Sequence, residues 1–180
     1  MTAPERPENL KNQPPDTPGK PAPESLLLHR EWTLWIKVNT DSWVKRNFKR
    51  IFTLKTVAEM WGVLNNIPVL LAGQANIFFM ADDLVPLSEE RRDIWSKGGC
   101  WSTIVKENNW LDTMHDICAT TFGESTFSEN VKGVCIVPVS QSHCIVKMWT
   151  TKKSEENNKL LQQALSHLGC CPPRFKSFSN

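Results

Sequence analysis

Tyrosine is absent from this 180-residue chain, although it carries eight tryptophans and eight phenylalanines, an unusual aromatic choice. Long apolar runs are absent too. None approaches the roughly 20 residues that cross a bilayer as a helix. The N-terminus opens on proline and glutamate instead of a basic stretch followed by an apolar one, so a cytosolic or nuclear chain is expected. An excess of one charge is also missing: 21 Lys and Arg stand against 19 Asp and Glu, a net +2. Binding that neutralises many phosphates of a long nucleic acid is therefore disfavoured, while a small anionic ligand or a terminal nucleotide is compatible.

The six cysteines form no Cys-x-x-Cys pair, and His143-Cys144 on one strand does not supply the paired short-loop ligands of zinc. Reduced and mostly buried thiols are expected, with no metal. Glycine is scarce, and Gly98-Gly99 is the only adjacent pair, with no Gly-Lys-Ser/Thr after it. That removes the phosphate-cradling and dinucleotide fingerprints, and no serine elbow occurs. The histidines (His29, His115, His143, His167) fall in four different elements. His115 with Asp116 and Cys118 imitates a nucleophile set but lacks the third, orienting group. Neither catalysis nor a cofactor is expected.

Residues 1–24 hold seven of the twelve prolines and almost no large apolar side chain. Such a segment cannot offset its ordering entropy, which predicts a disordered tail over 1–25 and one domain over 26–180. Strands are expected at Arg30–Val38, Lys45–Thr53, Ala75–Met80 and Gly99–Val105, from period-2 alternation or short apolar runs. In the first of these, Trp32, Leu34 and Ile36 share one side, and Thr33, Trp35 and Lys37 the other. Val131–Val139 and His143–Thr151 read as a hairpin, and Pro172–Phe175 begins a last short strand. Thr56, with Glu59 three residues on, signals a capped helix over Val57–Asn65. Two further helices are expected over Asn109–Phe122 and Glu155–Leu168. The fold class is α+β: a curved antiparallel sheet of about seven or eight strands with three helices packed on its convex face.

Trp43 follows Asn39-Thr40-Asp41-Ser42, four turn-forming residues. An indole on a polar loop either folds back as a lid on the core or waits for a flat, electron-poor ligand. Stacking on a nucleobase is worth about 1–3 kcal/mol, and more when the base is cationic, because the indole face is the best cation–π partner. A carboxylate nearby would then accept the N–H groups of guanine. Glu89 and Glu90, in the long charged segment 81–98, are the candidates; the plainer reading of that pair is a solvated charge run.

Taken together, Trp32-x-x-Trp35, Trp43, Thr56-Val57-x-x-Met60-Trp61, Gly98-Gly99-x-Trp101, Gly123-Glu124-Ser125, Gly133 and Trp149-Thr150-Thr151 form an ordered series. The chain from Leu26 to Phe175 resembles the eukaryotic translation initiation factor 4E family, which binds the 7-methylguanosine cap of messenger RNA. The resemblance implies a base sandwiched between two tryptophans, with a glutamate on its Watson–Crick edge. Trp43 matches the first tryptophan, Glu89 the glutamate, and Trp149 the residue that touches the N7-methyl. The second tryptophan position holds Ser88. Trp95, in the same long segment, either swings in to complete the sandwich or packs on the sheet. The family's phosphate-binding basic positions fall near Val139 or Ser140 and at Ile145 and Cys100. Their loss removes charge-assisted bonds of about 1.5–3 kcal/mol each. Lys147, Lys152, Lys153, Arg174 and Lys176 are the possible substitutes.

The resemblance also implies a second surface. Val57 and Trp61 match the face that receives the helix of an initiation factor 4G-type scaffold or 4E-binding regulator. Asp116 stands at a position that bonds the partner, with His115 and Ala119 beside it. The family's entry to this face is Leu26-Leu27-Leu28 here, which places Leu27 at its rim. Two functions follow: a monomeric cytoplasmic factor that bridges capped messenger RNA to a scaffold, or a scaffold-binding regulator with low cap affinity.

Overall fold

A computed structural model describes residues 26–37, 42–67, 75–87, 92–106, 110–123, 129–140, 143–155, 159 and 171–178. The Pro-rich segment 1–25 and nearly all of the expected helix Glu155–Leu168 lie outside these residues. Seven strands form one antiparallel sheet: β1 (Leu27–Lys37), β2 (Phe48–Thr56), β3 (Asn76–Ala81), β4 (Gly99–Lys106), β5 (Val131–Ser140), β6 (His143–Thr150) and β7 (Arg174–Ser177). Their spatial order is β2-β1-β3-β5-β6-β4-β7. Among the described residues the named helices are α1 (Val57–Leu64), a single turn α2 (Arg92–Trp95), and α3 (Trp110–Gly123).

The alternation expected in β1 sorts side chains between two cores. Trp32 and Leu34 join the larger cluster with Met60 and Leu64 of α1 and Met114, Ile117, Cys118 and Phe122 of α3. The Trp32 indole stacks on Phe122 at 4.2 Å. Trp35 points the other way, into a smaller cluster with Phe48, Phe78, Met80, Leu84, Trp95, Cys135 and Trp149. In β3 every residue is buried, because both of its faces are covered. A strand buried on both faces reads as a continuous apolar run, which Asn76–Ala81 is.

The capping box of α1 forms. Thr56 Oγ1 accepts from the Glu59 N–H at 3.2 Å, and the Glu59 carboxylate accepts from the backbone N–H groups of Thr56 (3.0 Å) and Lys55 (2.7 Å). These donors, led by Lys55, hold the Glu59 carboxyl below its ordinary pKa. The strand expected from Lys45 begins at Phe48 instead. Lys45–Asn47 form a short 3-10 turn, closed by the Asn47 N–H to Val44 O (3.0 Å) and the Asn47 side chain to Ser42 O (2.9 Å). An Asn that bonds its own loop offers the backbone an alternative to the ladder.

Candidate functional site

The smaller cluster lies on the sheet face opposite α1 and α3, and aromatic rings run along it. Trp43, 48% exposed, stands at one end. Its ring meets Phe48 at 5.7 Å and Phe78 edge-on at 6.0 Å. Phe78 is edge-on to Trp149 at 6.4 Å. Trp149 in turn meets Trp95 (5.6 Å) and Phe178 (5.0 Å), and Trp95 meets Phe178 at 5.4 Å. Edge-to-face geometry aligns positive ring edges with negative faces, so the row is held by more than area burial. Gly133 leaves room for it: a Cβ there would sit 2.7 Å from the Met80 sulfur and 3.2 Å from Trp149 Cβ.

Trp95, the expected second wall of a sandwich, is 1% exposed and packed on the sheet. The turn α2 sets it there, with the Gly98 N–H returning to Trp95 O at 2.9 Å. Burial between Trp149 and Phe178 is what the large apolar ring gains there, and it makes no ring contact with Trp43. Ser88, Glu89 and Glu90 lie outside the described residues. Val85, Leu87 and Ile94, on either side of them in sequence, all pack against the aromatic cluster.

The turn that starts this segment is fixed by charge. Asp82 and Asp83 both take φ of 54°, the left-handed region that Asp tolerates better than most residues. Leu84 N–H bonds Ala81 O across them at 3.1 Å. Lys132 reaches Asp82 at 2.8 Å, and Arg50 and Thr33 reach Asp83 at 2.9 and 3.1 Å.

Strand register sorts the candidate cations. Cys100 pairs with Trp149 and with Lys176, and Ser102 pairs with Lys147 and Arg174. Lys147, Arg174 and Lys176 therefore share the face that carries Trp149. Burial raises the Cys100 thiol to about 12 despite the opposing effect of Lys147 and Lys176. Lys153 sits 5.6 Å over the Phe175 ring, which packs against the larger cluster, so it belongs to the other side. Among the described residues no group of three His, Cys, Asp or Glu could hold a metal ion, and no helix is long and apolar enough to cross a membrane.

On the helical side, two of the expected partner residues meet. Trp61 is half-buried and meets His115 of α3 edge-on at 5.1 Å. Val57 lies one turn before Trp61, and its N–H donates to Leu26 O at 2.8 Å, which brings the start of β1 to the start of α1. Leu27 beside it is 77% exposed. Asp116 is half-buried and Ala119 exposed on the same helix as His115.

A sheet of this order, with tryptophans at these positions, has relatives. The family model for eukaryotic initiation factor 4E matches residues 27–178. The chain belongs to that family. Among curated 4E proteins it is 27% identical over 135 residues to initiation factor 4E-1B of Danio rerio, covering 69% of this chain and 61% of the relative. It is 26% identical over 141 residues to isoform 4E-2 of Zea mays, covering 72% and 62%. The chain thus spans about three fifths of the length of the curated relatives it matches.

Solved 4E structures share the fold. Ascaris suum eIF4E-3 with m7G cap superposes with a TM-score of 0.67 at 19% identity, covering 87% of this chain and 93% of that one. C. elegans eIF4E-3 with the 4E-binding protein Mextli and a cap analog gives 0.69 at 19%, covering 85% and 92%. A schistosome eIF4E with m7GpppA and 4E-BP gives 0.70 at 15%, covering 86% and 89%. Against the 4E pattern, the residues the sequence reading missed are Phe48, Phe78 and Phe178, which brace the tryptophans, and Lys37. Lys37 is 1% exposed with its Nζ 5.0 Å over the Trp43 ring. Its alternation with Trp35 was the available signal, but a charged residue on a strand reads as the wet side.

Proposed function

We propose that this protein binds the 7-methylguanosine cap of messenger RNA and bridges it to an initiation factor 4G-type scaffold or 4E-binding regulator, without catalysis, in the cytoplasm. The observation that carries the reading is the half-exposed Trp43 indole at the head of the aromatic row that runs through Phe78 to Trp149. A methylated guanine stacks on Trp43, Glu89 accepts its Watson–Crick N–H groups with Ser88 and Glu90 beside it, and Trp149 lies toward the N7-methyl. Trp95 supports Trp149 from below. Lys147, Lys176 and Arg174 extend along the same face and receive the phosphates in place of the basic residues missing at Ile145 and Cys100. Charge-assisted bonds of this kind are the strong ones.

The scaffold helix lies across Val57, Trp61, His115, Asp116, Ala119 and Leu27. A half-buried tryptophan between two helices suits an apolar anchor of an amphipathic helix. Fluorescence titration tests the cap reading. Saturable quenching by 7-methyl-GTP at concentrations where GTP gives none supports it. Equal, unsaturable quenching by both nucleotides at millimolar concentration ends it.

A further inference from the structure

Strand register lays three rows of side chains across the face that carries Trp149. The first row is Gly133, Trp149, Cys100 and Lys176, and the second is Cys135, Lys147, Ser102 and Arg174. The third is Val137, Ile145 and Ile104. Alternation keeps all three on one side, because Trp101, Val105, Cys144, Val146 and Ile136 between them join the larger cluster on the other. The third row is apolar and open: Ile104 is 50% exposed, and Val137 and Ile145 are half-buried. Just before β7, Pro172 and Pro173 wall this row. With Ser102, Ile104, Ile145 and Arg174 they line a cavity of about 460 Å³. Ligand sites have volumes of roughly 300–1,000 Å³.

We propose that this cavity is the subsite for the nucleoside that follows the cap, joined to it through the triphosphate bridge. The inference rests on the reading of Trp43 and Trp149 as the cap site. Rows two residues apart along a strand are separated by about 7 Å. The order along β6 is therefore aromatic at Trp149, cationic at Lys147 and apolar at Ile145, over about 14 Å in all. A capped dinucleotide has the same order: a cationic base, an anionic bridge, and a second base with flat apolar faces. Lys147 and Arg174 stand in the middle row, where the bridge passes, and the second base lies against Ile104, Ile145 and the prolines. Burial of that base against aliphatic side chains is favourable, whereas a free terminal phosphate there would give up water for apolar neighbours. Arg174 borders the cavity from the middle row, and its planar guanidinium suits both a phosphate and the face of a base. The continuity of the cavity with a basic row points to a nucleotide and not to an apolar peptide.

Calorimetric titration of the full chain with m7GpppA and with 7-methyl-GTP tests the subsite. The expected dissociation constant is about fivefold lower for m7GpppA. Ile104→Ser, at a half-exposed position, should bring m7GpppA within about twofold of 7-methyl-GTP and leave 7-methyl-GTP itself within about twofold of the parent. Ile145→Lys, which puts a cation in the apolar row, should strengthen 7-methyl-GTP binding and remove the advantage of the dinucleotide. Nuclear Overhauser contacts between the adenine protons and the δ-methyl groups of Ile104 and Ile145 give a readout that needs no variant. Equal affinities of the two nucleotides for the parent overturn the proposal while the cap reading stands. A full advantage retained in both variants places the second base elsewhere and overturns it too, as does a saturated m7GpppA complex without those methyl contacts. Methyl shifts caused by a Tyr-x4-Leu-apolar helix peptide but not by m7GpppA assign the row to a protein partner and likewise overturn it. Failure of both nucleotides to saturate the parent overturns the cap reading and this proposal with it.

Discussion

Phe78 stands edge-on to Trp43, centroids 6.0 Å apart and planes at 87°, and is itself wholly buried in the interior strand β3. The half-exposed indole is thus braced by a ring that cannot move without disturbing the sheet. On its far side the same ring meets Trp149. One phenylalanine couples the two tryptophans assigned to the cap.

Phe78→Leu keeps an apolar side chain but removes both edge contacts. A stability loss of about 1–3 kcal/mol is expected from the unfilled volume and the lost ring pairs. Cap affinity should fall as well, because Trp43 loses its support. Chemical denaturation and 7-methyl-GTP titration check the two parts. A loss of stability with unchanged affinity would separate Phe78 from the site.

Thr56→Ala breaks the capping box at the junction of β2 and α1. A cost of about 1 kcal/mol is expected, read as a lower midpoint in denaturant. The pH dependence has a definite sign. The folded-state pKa of Glu59 is depressed, so its contribution is present above the ordinary carboxylate value and is lost as pH falls through the depressed one. The difference in stability between the parent and Glu59→Gln should therefore shrink on acidification. Because Glu59 lies near the surface, the effect belongs to the range of about 1 kcal/mol or less.

Trp61→Ala removes the anchor between α1 and α3. Pull-down by a scaffold helix carrying a Tyr-x4-Leu-apolar motif should be lost, with a drop of at least about 2 kcal/mol as for a hot-spot tryptophan. Cap binding should stay within about twofold, since Trp61 lies on the opposite side of the sheet. Retained pull-down would move the partner surface elsewhere.

The parts of this molecule that sequence exposes are those decided locally or by a simple period. The Thr56–Glu59 box is four residues of backbone chemistry, and the two-sided pattern of Trp32, Leu34 and Trp35 follows from strand geometry alone. The start of β2 was not legible, because Asn47 closes a loop onto Ser42 and holds Lys45–Asn47 out of the ladder. Trp95 was open to two placements because its surroundings come from far along the chain: Trp149 and Phe178 enclose it. Lys37 was hidden for the opposite reason to Trp95. A lysine is seldom fully buried, and the ring that stands over it, Trp43, lies six residues further along the chain.

The central claim is that Trp43 is the platform for the methylated base. Calorimetric titration of the parent and Trp43→Leu with 7-methyl-GTP tests it without relying on the fluorescence of the residue removed. Base stacking on an aromatic side chain is worth about 1–3 kcal/mol, so the account predicts that Trp43→Leu, measured where it remains folded, binds roughly tenfold or more weakly, beside a stability loss of about 1–2 kcal/mol from its ring contacts with Phe48 and Phe78. Equal affinity in the two folded proteins would contradict it.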